Sequence, residues 1–148
     1  MKTWFAIVAL LCAAFAVADS EKKIQKSDLP AAVQKAADEQ TKGAEVKGYS
    51  KEVEKGKTYY EVETRLDGHG RDLLFDASGK LVEVEEEIAI EKLPAAVRTA
   101  IEKAATGGKL NKVESVTKGS VVTYEASITK GGKKSEVLFN ADGTKGKE

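Results

Sequence analysis

An internal duplication at an offset of 64 residues constrains the fold of this 148-residue chain more than any other feature. The segment Leu29-Pro30-Ala31-Ala32-Val33 returns as Leu93-Pro94-Ala95-Ala96-Val97. The same offset aligns further apolar residues and turn glycines, among them Tyr60 with Tyr124, Phe75 with Phe139, and Gly79 with Gly143. A shared backbone restricts residue type most at such positions. The sequence therefore predicts two copies of one structural unit.

Each copy is predicted to open with a helix and to continue as short strands. Pro30 and Pro94 suit a first helical turn, and small or branched apolar residues follow each at helical spacing. Closely spaced Gly, Asp and Asn turns then break the chain into segments of alternating polarity, which is typical of antiparallel hairpins. The predicted fold class is α+β: two tandem copies of a helix followed by an antiparallel β-meander, with the helix on one sheet face and the other face solvated.

Residues 1–18 are predicted to form a secretory signal peptide. Lys2 precedes an apolar run too short for a comfortable membrane span, and Ala16 and Ala18 suit a signal peptidase, so we expect cleavage after Ala18 and a periplasmic or secreted product without a stable membrane anchor. Removal of this segment takes away Cys12, the one cysteine of the chain. The mature protein therefore depends on its apolar core, without disulfides.

The predicted repeats span residues 19–87 and 88–148. The first holds 12 basic and 17 acidic residues, and the second 11 and 7. Because about 64 residues bury little of their surface alone and the halves differ in charge sign, we expect the two repeats to pack as one unit. The balance of 24 basic and 24 acidic residues overall favours neither nucleic acid nor bulk anionic membrane as a partner.

The Leu-Pro-x-Ala-Val helix start, Tyr60-Glu61-Val62 and the turn Leu74-Phe75-Asp76-Ala77-Ser78-Gly79 resemble the PepSY-like family, also described as β-lactamase-inhibitor-like. The resemblance covers almost all of residues 24–143, twice. It implies a small exported module without chemistry of its own, with relatives that bind or inhibit other proteins. We therefore expect a non-enzymatic protein-interaction module, without a cofactor, whose protein partner and oligomeric state the sequence does not name.

The predicted binding residues point away from the helices. They are Tyr59, Glu61, Glu63 and Arg65 in the first copy and Glu125 in the second. Tyr59 is the most informative, because Thr123 stands at its place in the second copy and the fold does not require an aromatic residue there.

An acidic junction between the copies leaves a small-ligand or cation-binding envelope protein as the alternative, and two acidic turns are a separate, weaker feature. The junction contains Glu83, Glu85, Glu86, Glu87 and Glu91; alternation with Val82, Val84 and Ile88 favours a strand with one wet face. The turns at Asp76 and Asp142 resemble calcium loops but lack the distant glutamate; tight turns explain them better, and weak calcium binding stays open. His69, the one histidine, lies in a turn without partners for metal or nucleophilic chemistry.

Overall fold

The computed structural model describes residues 20–147. Residues 1–19, with the predicted signal peptide and its cleavage site, lie outside the described residues, as does Glu148. The first half contains β1 (Ser20–Ile24), α1 (Ala31–Gln40), β2 (Glu45–Glu54), β3 (Lys57–Leu66) and β4 (His69–Asp76). The second contains β5 (Leu81–Glu87), α2 (Ala95–Ala105), β6 (Lys109–Lys118), β7 (Val121–Lys130) and β8 (Lys133–Asn140).

The eight strands form one antiparallel sheet in chain order, β1 to β8. Strand β5 joins the two halves, because it pairs with β4 on one side and with β6 on the other. The predicted boundary between residues 87 and 88 falls at the end of this strand. The α+β class with antiparallel strands is confirmed.

The predicted order of helix and then meander is incomplete, because a strand precedes each helix. Strands β1 and β5 hold equivalent places, and Glu21 and Glu85 stand 64 residues apart in them. The sequence Ser20-Glu21-Lys22-Lys23 gives no apolar alternation, since β1 is an edge strand formed by backbone pairing with β2. A polar edge strand of this kind has little sequence signal.

Each helix covers its own core on the same face of the sheet. Helix α1 buries Val33 and Ala37 against Val62, Leu73 and Phe75. Helix α2 buries its equivalent face against the second half, in a core comprising Leu93, Val97, Ile101, Val113, Ala126, Ile128 and Phe139. No helix among residues 20–147 is long and apolar enough to cross a membrane.

The closing turn of each half packs directly on a helix, which explains the paired glycines. Gly79 and Gly143 have φ angles of +84° and +83°. A Cβ atom at either position would lie 2.6 Å from a helix carbonyl oxygen, that of Ala32 or Ala96. Both the conformation and the close approach therefore require glycine.

Replacing Gly143 with alanine is expected to destabilise the protein by about 3 kcal/mol, because left-handed strain of about 1–2 kcal/mol adds to the clash with the Ala96 carbonyl. Gly43 is a matched control, since its φ is also +83° and a Cβ atom added there would meet no other atom within 4 Å. Gly43→Ala should show the strain alone. Urea denaturation of both variants measures the difference, and equal losses would contradict the proposed contact.

Candidate functional site

The sheet face opposite the helices, here called the open face, carries all five predicted binding residues. Cross-strand pairing places Tyr59 beside Glu52 and Asp76, and Glu61 beside Ser50 and Leu74. Glu125 lies between Glu114 and Leu138 in the second half. Glu63 and Arg65 continue the same face of β3. Their role in binding stays a prediction.

The open face is concave, and the expectation of a solvated face is wrong in this respect. Although no helix covers it, Ser50 is 0% exposed and Glu114 is 5% exposed. Glu52 and Glu54 of β2 line one depression together with Glu136 of β8, so the curled sheet brings distant strands towards each other. Curvature therefore buries side chains that a flat sheet would expose to water.

A groove of about 760 Å³ lies on the open face, between the second half and the end of β2. Val116, Leu138 and Thr123 contribute to its lining. Five glutamates and three lysines also line the groove, which we call the acidic groove. The glutamates are Glu54, Glu83, Glu85, Glu125 and Glu136, and the lysines are Lys55, Lys118 and Lys147. The groove offers an apolar contact area within a wall in which acidic side chains outnumber basic ones.

Three carboxylates meet where β4, β5 and β6 lie side by side. Asp72, Glu85 and Glu114 each offer an oxygen atom, and these atoms lie within 4.8 Å of one another. Burial and the neighbouring Glu114 charge raise the pKa of Glu85 to about 8, and burial raises the pKa of Asp72. Because the three carboxyl groups are close together and poorly solvated, their charged forms are disfavoured. A positive charge nearby would stabilise those charged forms.

A second acidic pair lies on β2 and β3. Burial and the charge of Glu61 raise the pKa of Glu52 to about 7. Burial also raises the pKa of Glu61, although the hydroxyl of Ser50 donates a hydrogen bond of 2.8 Å to Glu61 Oε2. The open face thus carries titratable carboxylates in both halves.

Lysines of this chain already neutralise part of the open face. Lys112 Nζ lies 2.7 Å from Glu114 Oε1, and Lys118 Nζ lies 2.8 Å from Glu83 Oε2. Lys23 forms an ion pair with Glu63. The carboxylates of the open face therefore already bind the ammonium groups of lysines from the same chain.

The remaining predicted site residues differ in accessibility. Tyr59 is half-buried, and Arg65 is exposed and donates a hydrogen bond from its guanidinium to the Gly68 carbonyl. The acidic junction does not form one surface: Glu83 and Glu85 lie on the open face, Glu86 pairs with Arg71 and Ser115 on the helix side, and Glu91 belongs to a 3-10 turn. Side chains alternate between the two faces along a strand, so consecutive acids cannot share a face.

The predicted list of binding residues missed Glu52, Asp72 and Glu114. Counting pairs back from the turn at Asp67 and Gly68 places Asp72 opposite Glu63, so that part of the surface could have been found. Glu85 stands opposite Asp72 only through the register shift between Leu74 and Phe75, which the sequence does not reveal.

The turns at Asp76 and Asp142 are tight turns, as predicted. Asp76 Oδ1 accepts hydrogen bonds from the backbone N–H groups of Ser78 and Lys80, at 2.9 and 3.2 Å. Asp142 Oδ1 accepts one from the N–H of Thr144 at 2.9 Å. The Ser78 and Thr144 hydroxyls, which also donate to these carboxylates, are the main cause of their lowered pKa values. His69 is exposed at the start of β4.

A family model described as beta-lactamase-inhibitor-like and PepSY-like matches the chain over residues 16–82 and 59–144. The chain belongs to this family, which confirms the resemblance found in the sequence. The comparison with curated proteins found no match.

Solved structures from Bacteroides share the fold. A BLIP-like protein of Bacteroides fragilis is 25% identical, with a TM-score of 0.55, and the match covers 77% of this chain and 80% of that one. A protein of Bacteroides eggerthii, assigned provisionally to the periplasm, is 20% identical with a TM-score of 0.64. The match covers 79% of this chain and 85% of that one. A DUF2874 family protein of Bacteroides uniformis is 20% identical with a TM-score of 0.62, and the match covers 78% of this chain and 85% of that one.

Proposed function

We propose that this protein is an exported, non-enzymatic interaction module that binds a protein of the envelope or the secreted fraction through its open face. The observation that supports this most is the concave, carboxylate-rich surface left uncovered by both helices. The partner would present lysine or arginine side chains, as Lys112 and Lys118 do within this chain. Binding of this kind fits an inhibitor or modulator.

Three further points support the proposal. The predicted signal peptide and the provisional periplasmic assignment of a related structure agree on export. The neighbour from Bacteroides fragilis is described as BLIP-like, and the family of this chain is described as beta-lactamase-inhibitor-like. The open face also offers Tyr59 among its charged residues, and tyrosine is frequent among residues that dominate binding energy.

Replacing Tyr59 with alanine is expected to weaken partner binding by about 1 kcal/mol or more while changing the free energy of unfolding by less than about 0.5 kcal/mol. The mature protein, immobilised, captures partners from an envelope extract, and titration with the purified partner then gives affinities for both forms. Glu102→Ala is the control, because Glu102 is exposed on α2, on the opposite side of the sheet from the open face. A loss of stability without a loss of binding would identify Tyr59 as a packing residue.

Cation binding is the second candidate, and the cluster of Asp72, Glu85 and Glu114 favours it. Oxygen atoms this close suit a hard divalent ion such as Ca²⁺. Lys112 already forms an ion pair with Glu114, however, so a metal ion would have to displace an ammonium group. A Ca²⁺-dependent increase in melting temperature, abolished by Asp72→Asn and without any protein partner, would favour this second function.

A further inference from the structure

A second cleft lies on the helix side of the sheet, away from the acidic groove. It occupies about 550 Å³ between α2, β7, β8 and the segment that follows β8. Ala100 and Ala104 line it from the helix, and Ile128, Val137 and Phe139 line it from the strands. Lys103, Lys130 and Lys145 also line it, and none of its ten lining residues is acidic. We call it the lysine cleft.

The short side chain of Ala104 helps to keep the lysine cleft open, since Gln40 stands at its place in the first half. Beyond the closing turn, residues 144–146 pair back onto β8: the Gly146 N–H donates a hydrogen bond of 2.8 Å to the Leu138 carbonyl, and Lys145 pairs with Phe139. Phe139 and Ile128 are almost fully buried in the second core and form the floor. The volume is in the range of sites for small molecules, and the partly exposed side chains of Ala100, Ala104 and Val137 would favour burial of an unbranched hydrocarbon chain.

The first half of the molecule fills the corresponding place. Arg71 lies 64 residues before Ser135 and takes its place in the first half. The Arg71 guanidinium donates a hydrogen bond of 3.4 Å to the Gln40 carbonyl. Leu81 stands where the cleft has Lys145, and it packs against the first core. The same backbone therefore supports a filled arrangement in one half and an open one in the other.

The three lysines are not requirements of the fold. Their equivalents in the first half are Glu39, Leu66 and Leu81. Within residues 20–147 the structure shows no ion pair for Lys103, Lys130 or Lys145, unlike Lys112 and Lys118 on the open face. Three cationic side chains around an apolar slot match a ligand with a hydrocarbon tail and an anionic head.

We propose that the lysine cleft binds a free, single-chain amphiphile with a carboxylate head, its tail against the partly exposed Ala100, Ala104 and Val137 and its head among the three lysines. This site is independent of the open face, so its failure would leave the proposed protein-binding function untouched. Charge complementarity and the apolar lining together select this ligand class.

Titration calorimetry with monomeric decanoate tests the proposal on the mature protein. We expect saturable one-to-one binding and a rise in melting temperature. Decyltrimethylammonium has a comparable tail and a cationic head, and we expect it to bind at least tenfold more weakly. Equal binding of the two probes, or no saturable binding of decanoate, would overturn the proposal. Binding only to phosphatidylglycerol vesicles would also overturn it, in favour of a membrane surface.

Two variants, which introduce residues of the first half into the lysine cleft, distinguish binding in the cleft from attraction to surface charge in general. Ser135→Arg introduces the side chain that fills the place in the first half, and the triple variant Lys103→Glu, Lys130→Leu and Lys145→Leu introduces its other residues. Because the first half folds with these residues, both variants are expected to fold, which circular dichroism checks. Each should weaken decanoate binding at least tenfold. Unchanged affinity in both folded variants would show that decanoate binds elsewhere and would overturn the proposal.

Discussion

Replacing Val97 with aspartate is expected to destabilise the protein by about 4 kcal/mol or more, which is a large fraction of the 5–15 kcal/mol typical of a folded domain. Val97 is 0% exposed and belongs to α2, from which its side chain packs into the second core. The new carboxylate would be buried without a partner or would have to take up a proton. Urea denaturation, followed by circular dichroism, measures the loss.

Ala95→Asp is the matched control, because Ala95 is exposed in the first turn of the same helix. A carboxylate there interacts favourably with the helix N-terminus, so the change should be within about 0.5 kcal/mol of zero. A Val97→Asp variant that melts like the wild type would contradict the assignment of Val97 to the core.

The protein is expected to lose stability as pH rises from 5.5 to 9, and Glu85 is expected to cause much of the loss. Its pKa in the folded protein is about 8, above the ordinary value of 4.5. A raised carboxyl pKa contributes stability that is fully present below 4.5 and is lost as pH rises through 8. One pKa unit corresponds to about 1.4 kcal/mol, so even a partly screened Glu85 should account for about 2 kcal/mol.

Burial is the main cause of the raised pKa of Glu85, and the neighbouring acidic groups add to it. Carboxylates approach Glu85 from neighbouring strands and from its own, and Lys112 and Lys118 reduce but do not remove the repulsion. The neighbouring acids are Glu61, Asp72, Glu83, Glu114 and Glu125.

Glu85→Gln should flatten the pH profile of the free energy of unfolding, since the amide stays neutral. Glu86→Gln is the control from the opposite face of the same strand. Profiles of the same slope for Glu85→Gln and the wild type would show that Glu85 ionises without cost.

Much of the fold follows from local signals in the repeat. Pro30 and Pro94 mark the helix starts, and Gly79 and Gly143 mark turns whose backbone other residues cannot adopt without strain. The alternation around Val62 places Glu61 and Glu63 on the opposite face without any knowledge of tertiary structure. Strand β1 was not predictable in this way, because pairing with β2 rather than an apolar pattern forms it.

For the candidate site, the sequence predicts only which residues lie on the sheet face opposite the helices. The concavity of this face depends on the twist and curl accumulated over eight strands, which no local segment specifies. The meeting of Asp72, Glu85 and Glu114 depends on the register of three strands. The lysine cleft depends on small side chains at Ala104 and Ser135, whose proximity to each other the sequence alone does not give.

Carbodiimide footprinting of the captured complex tests the central claim, that the open face is the binding surface, most directly. Glu54 and Glu125 line the acidic groove, whereas Glu39 and Glu102 are exposed on the helices of the opposite face. We expect partner binding to reduce labelling of Glu54 and Glu125 severalfold and to leave Glu39 and Glu102 unchanged. Protection of the two helix glutamates, with Glu54 and Glu125 labelled as in the free protein, would contradict the account.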